Sequence, residues 1–154
     1  MPASMADASS AVRSSTPARE VENDVTEHRQ TVNAPGAPAA IGPYNHAVRT
    51  GNLLFCSGQI PLDPDTGEIV GSTPADQTRQ CLRNLDAIAR AGGATLLDAV
   101  RVGVFLVDMG AFAEVNEAYA EFFAEDDAPA RYAFGVASLP RGALVGFEAV
   151  VAVP

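Results

Sequence analysis

Arg131 is the residue of this sequence best suited to hold a ligand. It follows Pro129-Ala130 at the start of a predicted strand, where a guanidinium fork can grip a carboxylate through two parallel hydrogen bonds. A salt bridge on a surface or an interface is the other use of an Arg there. A second stretch is Phe55-Cys56-Ser57-Gly58-Gln59, which closes a strand on a Gly. Such an end lets backbone N–H groups come close to a ligand. Cys56 and Ser57 are nucleophilic types, but neither has a His partner in a recognisable motif. Strand neighbours alternate, so one of the pair faces the core, and Cys56 reads as a small core hydrophobe. Tyr44 lies in the rigid bend Gly42-Pro43-Tyr44, from which a phenol can enter a cleft or simply pack. His46 shows no orienting acid and reads as structural. Asp63/Asp65 and Asp126-Asp127 read as solvated loop carboxylates, and Cys81 as a core residue on an apolar helix face.

Composition removes whole classes of chemistry. The chain has 154 residues, ten basic against nineteen acidic, with a net charge of −9 and a pI near 4.5. All ten basic residues are Arg. Without Lys the chain offers no Schiff-base amine and no Walker-type phosphate loop. Its acidity argues against sequence-independent binding to nucleic acid. The two His and two Cys match no zinc spacing, so no metal site is expected. Two thiols in a chain of this size are expected to stay reduced, which fits the cytoplasm. No run approaches the ~18 apolar residues of a membrane span, and the first residues lack the order of a secretory signal.

The elements that must position these residues follow from pattern. Residues 1–27, rich in Ala, Ser, Pro and charge, are expected to form a disordered extension, with Met5 an alternative start to Met1. Residues 28–154 form one domain. Strands are predicted at 28–33, 45–50 and 53–57, the last two joined by Gly51-Asn52 as a hairpin. Residues 61–72 read as a loop with a small hairpin. Thr73 caps a helix that opens on Pro74 and Asp76, carries Thr78, Cys81, Leu82, Leu85, Ile88 and Ala89 on one face, and ends at Gly92-Gly93. A β-branched strand at 99–107 is expected to be covered on both faces. A helix at 111–124 buries Phe112, Val115, Tyr119, Phe122 and Phe123, and strands at 131–138 and 143–151 finish the chain. The fold class is α+β, with two helices on one face of a sheet. In the strand from Arg131, the side with Tyr132, Phe134 and Val136 suits the helices. The side with Arg131, Ala133 and Gly135 then faces outward, as a pocket wall or an oligomer surface.

From about residue 34 to 152 the sequence resembles the reactive-intermediate deaminase family, also called RidA- or YjgF-like. The stretches that carry the likeness are Ala37–Tyr44, Gly51-Asn52, Ser57–Pro61, Thr66–Glu68, Gln77–Gln80 with Asn84-Leu85, Phe105–Met109, Phe112–Asn116, Pro129–Arg131 and Leu139–Val145. The resemblance implies a chorismate-mutase-like domain with two helices packed on one face of a mixed sheet. It implies a homotrimer with clefts between subunits. It also implies cofactor-free hydrolysis of 2-imino or enamine acids, intermediates of PLP enzymes, to 2-keto acids and ammonia. Carried over by position, Arg131 clamps the substrate carboxylate. Tyr44 and Ser57 line the cleft, Gly58 supplies a close backbone contact, and Asn116 lies nearby on its helix.

Three positions depart from the family pattern, and each shrinks a side chain. The usual Cys is Ala133, a common Glu is Gly135, and the Glu that positions the attacking water falls on Gly146. The pocket, with Ala133 and Gly146 among its lining residues, is expected to be wider and to lack its usual acid. Glu148 shares the facing of Gly146 and can hold a water or make a structural hydrogen bond; Tyr44 or Ser57 can position the water instead. The leading expectation is a deaminase. A trimeric binder of a keto or imino carboxylate and a pathway-specific enzyme for a bulkier carboxylate are the alternatives. Ribonuclease activity, attached to some relatives, fits poorly with the charge.

Overall fold

A computed structural model describes residues 28–154; the expected extension at 1–27 and the question of the start lie outside them. The elements are β1 (Gln30–Val32), β2 (Ala47–Thr50), β3 (Leu53–Gln59), α1 (Pro74–Ala91), β4 (Ala99–Leu106), α2 (Phe112–Ala120), β5 (Ala130–Gly135) and β6 (Val145–Ala152). They form one six-stranded sheet in the order β1-β2-β3-β6-β4-β5. Only β4 and β5 run parallel. α2 is the crossover between them, as a parallel pair requires. The expected small hairpin appears as a single bridge, Leu62 to Ile69.

α1 starts where its capping residues stand. The Thr73 hydroxyl accepts from the Asp76 N–H at 3.1 Å, Pro74 occupies the first turn, and the chain leaves the helix at Gly92. A Cβ on Gly92 would lie 2.5 Å from Leu54 Cδ2, so helix and sheet meet there only because the side chain is absent. α1 and α2 cover one face of the sheet. Leu82, Leu85 and Ile88 meet Leu54, Val102, Val104, Leu106 and Phe147 in a fully buried core. Two buried amides of α1 hold neighbouring loops. Gln77 accepts from the Leu144 N–H at 2.8 Å and donates to Gly71, while Asn84 donates to the Leu62 carbonyl at 2.9 Å. His46 does the same for the segment before β2: Nδ1 accepts from the Ala34 N–H at 2.9 Å, and Nε2 donates to the Pro38 carbonyl at 2.7 Å. Its structural reading holds, because both ring nitrogens are occupied by backbone.

One expectation is reversed. Arg131 and Ala133 face the helices, and Tyr132 and Phe134 face away from them. The cause is register. Arg131 pairs with Val102 and Ala133 with Val104, the core-facing residues of β4, and paired residues share a face. Tyr132 pairs with Gly103, and its ring lies over that glycine; a Cβ there would sit 2.4 Å from the phenol oxygen. β4 is therefore covered fully only on its helix side. On its other side Gly103 is buried under Tyr132, Phe105 is half-buried and Arg101 is exposed. That uncovered face also carries Phe55 and Phe134, 46% and 58% exposed, and Glu148, which accepts a hydrogen bond from the Tyr132 hydroxyl. Among the described residues no helix is long and apolar enough to cross a membrane.

Two substitutions test these contacts by chemical denaturation. Thr73→Ala is expected to cost about 1 kcal/mol through the lost cap. His46→Leu leaves the Ala34 N–H and the Pro38 carbonyl without partners and is expected to cost about 2–4 kcal/mol. An unchanged midpoint in His46→Leu would show that the ring does not tie the segment down.

Candidate functional site

Arg131 stands at the start of the edge strand β5, under α2. Its Nη1 donates to Asn116 Oδ1 at 2.7 Å, and its guanidinium carbon lies 5.4 Å and 4.8 Å from the ring centres of Phe112 and Tyr119. Cation–π contact and one amide fix the fork in place. Among the described residues Arg131 makes no ion pair. It opens onto a cleft of about 580 Å³ lined also by Asn116, Tyr119, Phe123, Glu125 and Pro129. An exposed carboxylate, Glu125, thus shares the cleft with the cation, and the lining offers both signs of charge. Beneath Arg131, Tyr119 is buried against Phe123 and Phe147, with ring centres 4.7 Å and 6.4 Å away. Its hydroxyl has no hydrogen-bond partner among the described residues. Burial pushes the phenol up to about 12, against the opposing charge of Arg131, so it stays a neutral O–H donor.

The remaining site candidates gather elsewhere. Tyr44 and Gly58 line a separate cleft of about 220 Å³. The Tyr44 hydroxyl accepts from the Ile41 N–H at 3.0 Å, which braces the bend it stands in. Ser57 donates its hydroxyl to the Asn45 carbonyl at 2.6 Å and its N–H to the His46 carbonyl at 2.8 Å. The pairing of β3 with β6 shifts register between Cys56 and Gln59. That irregularity leaves Gly58 exposed between half-buried Ser57 and buried Gln59. Gly58 and Gly146 share a third cleft, of about 200 Å³. Gly146 pairs with Phe105 on the face away from the helices, so within one chain it is separated from Ala133 by the thickness of the sheet. Ala133 packs against the helix-side core, and Gly135 lies next to Met109. Glu148 is engaged by Tyr132.

The structure therefore brings Arg131 together with Asn116, and Gly58 with Tyr44 and with Gly146, but leaves these groups apart. Cys56 and Cys81 are buried and their thiols are pushed up by desolvation, Cys56 to about 12, which makes them poor nucleophiles. Sequence reasoning overlooked Tyr119 and Glu125 as cleft residues. Tyr119 was assigned to the apolar stripe of its helix, where it also belongs. Its signal was the three-residue spacing from Asn116, which sets two polar groups side by side on one helix face. Glu125 carried no signal, because a loop carboxylate acquires a partner only when the chain is folded.

The family model described as Endoribonuclease L-PSP matches residues 34–153. A RutC family protein of Pyrococcus horikoshii is 48% identical over 122 residues, which are 79% of this chain and 96% of that protein. The 2-iminobutanoate/2-iminopropanoate deaminase of Escherichia coli is 44% identical over 123 residues, 79% of this chain and 95% of the relative. The crystal structure of Escherichia coli TdcF with bound serine superimposes with a TM-score of 0.75 at 39% identity, covering 81% of this chain and 99% of that one. The two helices on a mixed six-stranded sheet are the fold of these relatives, and the chain belongs to the Rid family, the RutC- and YjgF-like proteins.

Proposed function

We propose that this chain is a deaminase that hydrolyses 2-imino acids, or their enamine tautomers, to 2-keto acids and ammonia. Its working form is a homotrimer of chorismate-mutase-like domains with the active clefts between subunits. The observation that carries the reading is Arg131: a guanidinium held in place by Asn116 and two aromatic rings, without an ion-pair partner, at the mouth of a cleft. That is an arrangement for receiving a carboxylate. The relatives named as 2-iminobutanoate/2-iminopropanoate deaminases and the relative solved with serine bound support it. Each of those molecules bears a carboxylate next to a carbon bonded to nitrogen.

The trimer is supported by the incompleteness of one chain. Arg131 and Asn116 open on one cleft, and Tyr44, Gly58 and Gly146 line others. The sheet face away from the helices exposes aromatic side chains that a neighbouring copy would bury. In the assembled cleft Arg131 of one copy would bind the substrate carboxylate. Tyr44, Ser57 and Gly58 of the next would bound the reacting carbon. Water then adds to the imine carbon, the C=N electron pair passes to nitrogen, and nitrogen leaves as ammonia while the carbonyl forms. An imine is electrophilic without assistance, so orienting it and its water supplies most of the rate gain. Neither metal nor cofactor takes part in this scheme. The excess of acid over base disfavours action on RNA, despite the description attached to the family model.

One observation favours a second reading, binding without turnover. The position for the expected water-orienting Glu is Gly146, and Glu148, two residues on, is occupied by Tyr132.

A coupled assay separates the two readings. A threonine dehydratase supplies the imine, and semicarbazide traps what escapes hydrolysis. The wild type is expected to lower semicarbazone formation, and Arg131→Ala to lose the effect by about 100-fold. No protection by the wild type, together with saturable binding of a 2-keto acid, would establish the binder instead. Light scattering is expected to give three times the 16.0 kDa chain mass, and a monomer at assay concentration would remove the intersubunit cleft.

A further inference from the structure

Gly146 is a glycine without a structural need for one. It lies in β6, between β3 and β4 near the middle of the sheet, where glycine costs about 0.5–1 kcal/mol relative to a residue with a side chain. Its φ is not in the left-handed region that favours glycine. A Cβ built on it would meet the Gln59 carbonyl at 3.5 Å and Leu139 Cδ2 at 3.6 Å, both ordinary contacts. Gly92 and Gly103 differ: at each, a Cβ would collide with Leu54 or Tyr132. Neither conformation nor packing calls for glycine at 146. What its missing side chain leaves is space, the cleft of about 200 Å³ bounded by Gly58, Ile60, Phe105, Leu139, Pro140 and Gly146. Gln59 also lines it, with its side-chain amide turned to the Ser57 and Gly58 carbonyls, and the surface the cleft exposes is almost wholly apolar. The cleft adjoins the one at Tyr44, with Gly58, Gln59, Ile60 and Pro140 common to both.

We propose that Gly146 determines substrate specificity by opening a pocket for the apolar side chain of the substrate. The preferred substrates are then 2-imino acids with a branched aliphatic or aromatic side chain, rather than those with methyl or ethyl. This rests on the deaminase reading, in which Gly58 and Tyr44 bound the reacting carbon and the pocket lies beside them. A cavity of about 150 Å³ admits benzene, so the volume suits an isobutyl or benzyl group. Its walls expose almost no polar surface, so they can bury such a group while a polar side chain gains little there. The pocket and the Arg131 cleft divide the work: the cation binds what all 2-imino acids share, and the pocket reads what differs.

The test uses an L-amino-acid oxidase to generate imines from leucine, phenylalanine and alanine, with semicarbazide trapping, in the full-length protein. For the wild type, kcat/KM for the leucine- or phenylalanine-derived imine is expected to exceed that for the alanine-derived imine by at least about 10-fold. Gly146→Val, which fills the pocket, is expected to bring that ratio to about one or below. Gly146→Ala, a smaller step that β6 tolerates more readily, is expected to fall between them. A wild-type ratio near one, or an equal fall for all imines in both variants, would overturn the proposal and leave the deaminase reading intact. So would loss of the assembled mass in Gly146→Val, which would assign the cleft to a subunit contact. If the wild type hydrolyses none of the imines, the deaminase reading fails and the pocket is judged by binding alone. A larger thermal shift with 4-methyl-2-oxopentanoate than with pyruvate, abolished in Gly146→Val, would then sustain it, and equal shifts would reject it.

Discussion

The parallel pairing of β5 on β4 decides where the functional side chains of this protein stand. Val102 pairs with Arg131 and Gly103 with Tyr132. Because the strand period is two, a slip of one residue would exchange the two faces. With the register as it is, Arg131 lies under α2, where Asn116, Phe112 and Tyr119 hold its guanidinium. Tyr132 lies over Gly103, the one residue type that leaves room for its ring. The crossover helix that makes a parallel pair possible is the same helix that fixes the cation. Fold and candidate site thus rest on one contact surface, between β5 and α2.

That arrangement leaves the sheet with unequal faces. The helix side is closed by a dense apolar core. The other side sets Phe55, Phe105 and Phe134 beside a hydrogen-bonded Tyr132–Glu148 pair. A face of this kind is costly in water, and the proposed association with further copies of the chain would relieve the cost without any change to the core. The homotrimer proposed above would also supply what each chain lacks, since Arg131 opens on one cleft and the Tyr44 and Gly58 surfaces on others. In that assembly, stability and completeness of the site would have one physical origin.

The sequence by itself determined the order of the elements and most of their extent, although α2 ends at Ala120 rather than at 124 and β5 at Gly135 rather than at 138. The α1 cap at Thr73, the break at Gly92-Gly93, and the strand and helix periods are local signals, and local geometry obeyed them. It also placed Cys56, Cys81 and His46 correctly inside, and it marked Arg131 as the cation to examine. Only the tertiary structure decided which side of β5 meets the helices. Alternation within a strand gives two faces but does not say which is in, and the aromatic face of β5 was the natural choice for a core. The answer came from the pairing partner, through a glycine in another strand. Tyr119 and Glu125 became cleft residues for a related reason: the cleft is closed by the path of the chain from α2 into β5, which sets them beside Arg131, and no local pattern encodes that path.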